Sequence, residues 1–323
     1  MIDVRRTWRF TVFKARRNWH WGRTHGWLNL LEEHDLDPRM RIPRAVRQLR
    51  WSLRHHTPAG SARALFLVGA QRSGTNMIAH GLDQAPEVEV YNEGNRRAFA
   101  NYQLRDLRVI DQLIGTSRRP FVLIKPLCDS DRVAELLDRQ RPGPPARAVW
   151  AFRDVDGRVR SQVQKFGAAN LDAFRAFVAG DPYPAWQLRG VSEEHRELIR
   201  SLNVHRFSAQ SASALFWFVR NAQFFDLSLH LRPDVMLADY GSFLADPAIA
   251  MARLCTFIGF PYRPELVQHI APQARTPRTP VVIDDRVRAL CVPLQERLQA
   301  TYAAQAAQVA GDAEPTAAAH SSD

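Results

Sequence analysis

Lysine is almost missing from this chain: of 44 basic residues, only Lys14, Lys125 and Lys165 are lysines. A lysine at a strand end is therefore a feature to follow, and a loop that needs one has few to draw on. Cysteine is equally scarce. Cys128, Cys255 and Cys291 are odd in number and lie in unrelated contexts, which excludes a disulfide framework and points to reduced thiols in an intracellular setting. The eleven histidines show no Cys/His ligand spacing, so no metal site is expected. No apolar run approaches the roughly 18 residues that span a bilayer. The basic opening MIDVRRTWRF is not followed by an apolar stretch, so no secretory signal is expected and the chain reads as cytoplasmic.

What is present is a chain of 323 residues, 46% hydrophobic, with a net charge of +11. That length suits one large α/β core or two small domains. The charge is concentrated: the first 60 residues hold 13 Lys and Arg against 5 Asp and Glu. They also hold Trp8, Trp19, Trp21, Trp27 and Trp51, five of the eight tryptophans. Interleaved arginines and aromatics suit an anionic membrane surface or a polyanion, with no specific nucleic-acid partner implied. They equally suit an arm whose tryptophans pack inward while its arginines face water.

From Ala64 short apolar runs alternate with helical patterns. Strands are expected at Leu65 to Val68, Val88 to Tyr91, Phe121 to Lys125, Arg147 to Phe152 and Val235 to Ala238. Helices are expected near Thr75 to Gln84, Arg96 to Leu113, Ser130 to Arg139, Gly157 to Phe166 and Ala209 to Leu231. This alternation implies right-handed crossovers and a parallel sheet flanked by helices, with ligands at the carboxyl ends of the strands. The expected division is a basic arm over 1–60, a domain over 61–308 with a helical insertion or lid near 167–210, and a disordered tail over 309–323.

The segment ALFLVGAQRSGTNMIA, Ala64 to Ala79, is a buried-type strand, a turn of small and polar residues, and a helix start. Such a turn aims backbone N–H groups and a helix N-terminus at an anion. Gly69 and Gly74 have the separation of G-x-x-x-x-G-K-[ST], yet Thr75 and Asn76 follow, and the lysine is missing. An ATP or GTP reading thereby loses its main cation, leaving a degenerate P-loop kinase or NTPase as the alternative. The cation stands inside the loop instead, at Arg72.

Strand-[x-R-S-G-T]-helix resembles the 5′-phosphosulfate loop of sulfotransferases that use 3′-phosphoadenosine 5′-phosphosulfate (PAPS). Further on, VWAFRDVDGRVRSQVQKFG places Arg153 at a strand end and Ser161 two helical turns along. This resembles the family's grip on the nucleotide 3′-phosphate, although Arg153-Asp154 alone also reads as a salt-bridged helix cap. Val235 to Tyr262 resembles the strand, Tyr and Asp-Pro-helix unit that closes the same fold, which sets Tyr240 beside the adenine.

The resemblance covers about Ala64 to Tyr262 and implies a P-loop-NTPase-like sulfotransferase fold, PAPS as donor, no metal, and sulfuryl transfer to an acceptor hydroxyl of a carbohydrate, glycolipid or small metabolite. It implies donor binding by Arg72, Ser73, Gly74, Thr75, Asn76, Arg153, Ser161 and Tyr240, with Arg72 first and Lys125 second as cation at the leaving oxygen. Lys125 matches the lysine of the family's Lys-Thr-His segment, but Pro126 and Leu127 follow here, so no histidine base is available. Carbohydrate and bacterial branches use a glutamate after the second strand, and Glu93 takes that place; Asp129 is the reserve. Glu93 also reads as an acid capping a helix at Arg96, paired with Arg96 or Arg97. A third reading is a polyanion- or membrane-surface-binding protein with an inactive core.

Overall fold

The computed structural model describes residue 23 and residues 38–55, 57–181, 185–273 and 279–313. Trp8, Trp19, Trp21 and Trp27 of the arm, Pro182 to Pro184 of the expected lid, and the tail beyond residue 313 lie outside the described residues. The chain divides into two units, Met1–His55 and His56–Asp323. In the first, helix α1 spans Pro38–Arg54.

The second unit is built on five parallel strands: β1 (Arg63–Gly69), β2 (Val88–Tyr91), β5 (Phe121–Ile124), β6 (Arg147–Phe152) and β7 (Val235–Asp239), in the order β2-β5-β1-β6-β7. These are the five strands expected from the apolar runs. Each is nearly continuous in apolar residues because both faces are covered. In β1, Phe66 and Val68 enter one core and Leu65 and Leu67 the other. The second core is closed by α2 (Thr75–Asp83) and by two helices after β7, α9 (Tyr240–Ala245) and α10 (Pro247–Ile258). Pro247 at the start of α10 lacks the N–H that a first helical turn leaves unpaired, and Asp246 caps it by accepting from Ile249 N at 3.0 Å.

The first core holds α3 (Leu107–Thr116), α4 (Val133–Asp138), α5 (Val155–Phe166), α6 (Ala169–Val178), α7 (Glu193–Ser201), α8 (Ala209–Asp226) and α11 (Asp285–Ala313). Helices α6 and α7 fall within residues 167–210. Helix α8 runs through this core, and every residue from Ser211 to Phe225 is buried. Its polar side chains are therefore paired internally: Asn221 Oδ1 accepts from Trp150 Nε1 at 3.2 Å, and Gln223 Nε2 donates to Arg189 O at 2.8 Å.

Two expectations need correction. The helix expected over Arg96 to Leu113 is instead a two-stranded hairpin, β3 (Phe99–Ala100) and β4 (Gln103–Leu104), followed by α3. Asn101 and Tyr102 both take positive φ, 52° and 64°, the geometry of a two-residue hairpin turn, and Asp106 then caps α3 by accepting from Arg108 N. The helix expected to begin at Ser130 is preceded by a 3-10 turn over Leu127–Arg132 and becomes regular only at Val133.

Helix α11 is a further finding. Its alanine-rich second half dilutes the pattern, yet Val287, Cys291, Leu294 and Leu298 form one stripe into the core. Gln305 on α11 accepts from Leu237 N at 2.8 Å and donates to Val235 O at 3.1 Å, pairing with the outer edge of β7. Leu298 is fully buried, so Leu298→Ala should cost about 2–5 kcal/mol in urea unfolding if α11 is integral to the core.

Candidate active site

The carboxyl ends of β1, β2, β5 and β6 carry the residues singled out from the sequence. After β1 the chain makes a tight turn in which Gly69, Arg72 and Gly74 take φ of 119°, 69° and 87°. Two of these are positions only glycine fills. A Cβ on Gly69 would lie 2.2 Å from Ala151 O on neighbouring β6, and one on Gly74 would lie 2.6 Å from Cδ2 of Tyr240. Arg72 holds a left-handed backbone without that freedom, a strain of the kind kept at functional loops.

The turn is held from behind by Ser130 and Arg158. Ser130 Oγ accepts from Gly69 N at 3.0 Å and lies within hydrogen-bond distance of the carbonyls of Gly69 and Leu127. Arg158, on α5, donates through Nε to Gln71 O at 3.1 Å and through Nη1 to Ser213 O and Oγ on α8, at 2.7 and 2.9 Å. It is fully buried, and burial, then the charges of Arg72 and Arg220, press it below the ordinary guanidinium value. Sequence reasoning missed Arg158. The available signal was two further arginines between Arg153 and Ser161, Arg158 and Arg160, of which Arg158 is the buried one.

Around this turn the site has two halves. In one, Arg72 Nε donates to Ser161 Oγ at 2.9 Å, and the Arg153 guanidinium lies over the Tyr240 ring, 4.3 Å from its centre. Burial and the charge of Arg153 lower the pKa of Arg72. Arg153 is positioned by its own backbone, whose carbonyl accepts from Trp217 Nε1 on α8 at 2.8 Å. Asp154 does cap α5, accepting from Gly157 N at 2.6 Å, as the cap reading expects. That leaves Arg153 Nε 3.7 Å from Asp154 Oδ2, buried and without a hydrogen bond.

In the other half, at the first turn of α2, Lys125 Nζ donates to Asn76 Oδ1 and lies 3.4 Å from Glu93 Oε2. The Lys125 side chain is 5% exposed. Burial raises the pKa of Glu93, Lys125 lowers it, and Asp129 raises it again, with the net shift upward. The helix that Glu93 was to cap is not there, and Arg97 lies 3.5 Å from Glu89 instead. Asp129 is engaged elsewhere: Oδ1 accepts from Arg189 Nη2 at 2.6 Å and Oδ2 from Leu104 N at 2.8 Å.

The arrangement is suited to an anion. Arg72, Arg153 and Arg158 lie at one turn, and the partners of Arg158 are carbonyl, hydroxyl and amide oxygens, none of them a carboxylate. Ser73 Oγ, in the turn itself, is buried without a hydrogen-bond partner. A buried hydroxyl and a buried guanidinium N–H left unpaired are costly unless a ligand completes them. Among the described residues no cluster of three or more metal-ligating side chains is found. Pyrophosphate should raise the melting temperature of the wild type, and Gly74→Ala should lower stability by about 1–3 kcal/mol and abolish that rise, both read from thermal melts.

No family model matches the sequence, and no curated protein matches it. Solved structures similar to the chain include the sulfotransferase domain of the Synechococcus PCC 7002 olefin synthase, 11% identical over 75% of this chain and 96% of that one, with a TM-score of 0.38. The sulfotransferase from Alicyclobacillus acidocaldarius is 17% identical over 77% of this chain and 94% of its own, with a TM-score of 0.35. Mouse sulfotransferase SULT7A1, complexed with PAP, is 12% identical over 69% and 67%, with a TM-score of 0.33. The structural likeness is thus to sulfotransferases of bacterial and mouse origin.

Proposed function

We propose that this protein is a PAPS-dependent sulfotransferase that moves a sulfuryl group to an acceptor hydroxyl, of a carbohydrate, glycolipid or small metabolite, by in-line displacement. The observation that carries the reading is the pairing of Lys125 and Glu93 beside Asn76, at the start of the helix that opens on the anion turn. PAPS supplies an activated sulfuryl group on a phosphate; the protein must hold it, take a proton from the acceptor and neutralise charge on the departing oxygen.

Ser73 to Asn76 offer backbone N–H groups and the positive end of α2 to the 5′-phosphosulfate. Arg72, Ser161 and Arg153 converge as a set for the 3′-phosphate, and Tyr240, packed under Arg153 and against Gly74, borders the adenine. Because Arg72 is engaged with Ser161, Lys125 is the better placed cation for the leaving oxygen. Glu93 accepts the acceptor's proton. Its raised pKa makes it a stronger base once ionised, and Lys125 beside it favours the ionised form.

Binding and turnover separate the roles. Arg153→Ala should weaken binding of 3′-phosphoadenosine 5′-phosphate by about tenfold or more in calorimetry. Glu93→Gln should bind it like the wild type and lose about 10²- to 10⁴-fold in turnover. Since the base must be ionised, kcat should fall as pH drops through a midpoint above the ordinary glutamate range, and Glu93→Gln should lack that limb. A chain that neither binds this nucleotide nor transfers sulfate across a broad acceptor screen, or that hydrolyses ATP with magnesium instead, overturns the reading.

Arg158 acts through the turn rather than on the donor. Arg158→Met keeps most of the volume but strands the Gln71 and Ser213 oxygens that the guanidinium holds, so the melting temperature should fall and nucleotide affinity drop about tenfold. Calorimetry beside a melting curve reads both. Unchanged affinity would leave Arg158 a packing residue.

A further inference from the structure

Helix α1 combines two features that the proposed transferase chemistry does not use. The first is charge. Arg39, Arg41, Arg44, Arg47, Arg50 and Arg54 fall within Pro38–Arg54, and the helix holds no Asp or Glu. The second is an apolar line. Val46, Leu49 and Leu53 follow one another at spacings of three and four, and Ile42 precedes them in the same register. At 3.6 residues per turn these four positions fall within about 60° of the helix circumference.

Val46, Leu49 and Leu53 of that line face outward. Leu53 is 79% exposed, Leu49 61% and Val46 41%. The partly covered side chains of the same turns are Gln48 and Trp51, on the opposite side, where Trp51 stacks on His55 with ring centroids 4.8 Å apart. The helix therefore displays these three aliphatic residues and half covers its tryptophan. Arg50 and Arg54 lie along one flank of the line.

We propose that this face of α1 is a docking surface for an anionic lipid bilayer, on which the helix lies in the interface plane. The chemistry favours a bilayer over other anionic partners. A nucleic acid or polysaccharide would engage the arginines and leave three aliphatic side chains in water. A groove on an acidic protein is gripped by bulky anchors, aromatic ones above all, and the one aromatic residue of this helix points the other way. A narrow aliphatic line beside arginines, with no acidic residue, matches shallow insertion beneath anionic headgroups. No described helix is long and apolar enough to cross a membrane, so the contact is peripheral.

The test is flotation of the full chain with vesicles of phosphatidylcholine alone, and of phosphatidylcholine and phosphatidylglycerol in equal parts. Binding should require phosphatidylglycerol and weaken as salt rises. Leu49→Asp with Leu53→Asp should reduce it by about tenfold or more, and each of Arg50→Glu and Arg54→Glu by about fivefold or more. Leu49→Gln with Leu53→Gln serves as the milder pair if the aspartates disturb folding, judged by an unchanged melting curve. The proposal fails if the wild type ignores phosphatidylglycerol vesicles, or if both leucine pairs bind as tightly as the wild type. It fails too if the leucines prove to hold two copies of the chain together, seen as a dimer that the leucine variants dissolve while vesicle binding stays absent.

Discussion

The interaction on which the site rests is the grip of a buried guanidinium on the carbonyl of Gln71. A turn carrying three positive φ angles has no regular hydrogen-bond ladder of its own, so its shape must be imposed from outside. Arg158 does this from α5 while holding Ser213 on α8, which makes the turn an extension of the protein interior. The cost is a cation in the core with no carboxylate to balance it. Arg72 and Arg153 add to that cost, and the three together form a positive field that an anion relieves.

A second joint lies on the other side of the sheet's carboxyl edge. Asp129 ties the β3-β4 hairpin, through Leu104 N, to Arg189, which lies between α6 and α7. Gly190 follows closely against Asp131, where a Cβ would lie 2.3 Å from that residue's Cβ. Lys125 is four residues before Asp129, so the segment that carries the proposed cation is clamped on its far side by a half-buried ion pair. The division of labour between two nearby carboxylates follows from environment. Asp129 is saturated with donors and held in place, whereas Glu93 meets one lysine and is raised by burial.

Much of this was legible in the sequence because parallel strands buried on both faces announce themselves as apolar runs, and all five lie where those runs are. The residues at the strand ends were legible for the same reason: in such a sheet, position along the strand fixes which edge a side chain reaches. What escaped was decided by tertiary contact. The stretch after Arg96 has helical composition, but Asn101 and Tyr102 turn it into a hairpin whose second strand is fastened by Asp129. Helix α11 was hidden because alanine contributes little periodic contrast. Arg158 was hidden because one-dimensional reading treats an arginine on a helix as solvated, and only the packing of α8 against α5 shows otherwise.

The amide of Gln305 occupies the outer edge of β7 as a further strand would, supplying an acceptor to Leu237 N and a donor to Val235 O. An edge engaged in this way is a poor template for pairing with another chain. One border of the sheet is thus engaged by a side chain from α11. Trimming the chain before Gln305 would do more than shorten a helix, since it would uncover backbone groups whose natural substitute partner is a strand from a neighbouring molecule.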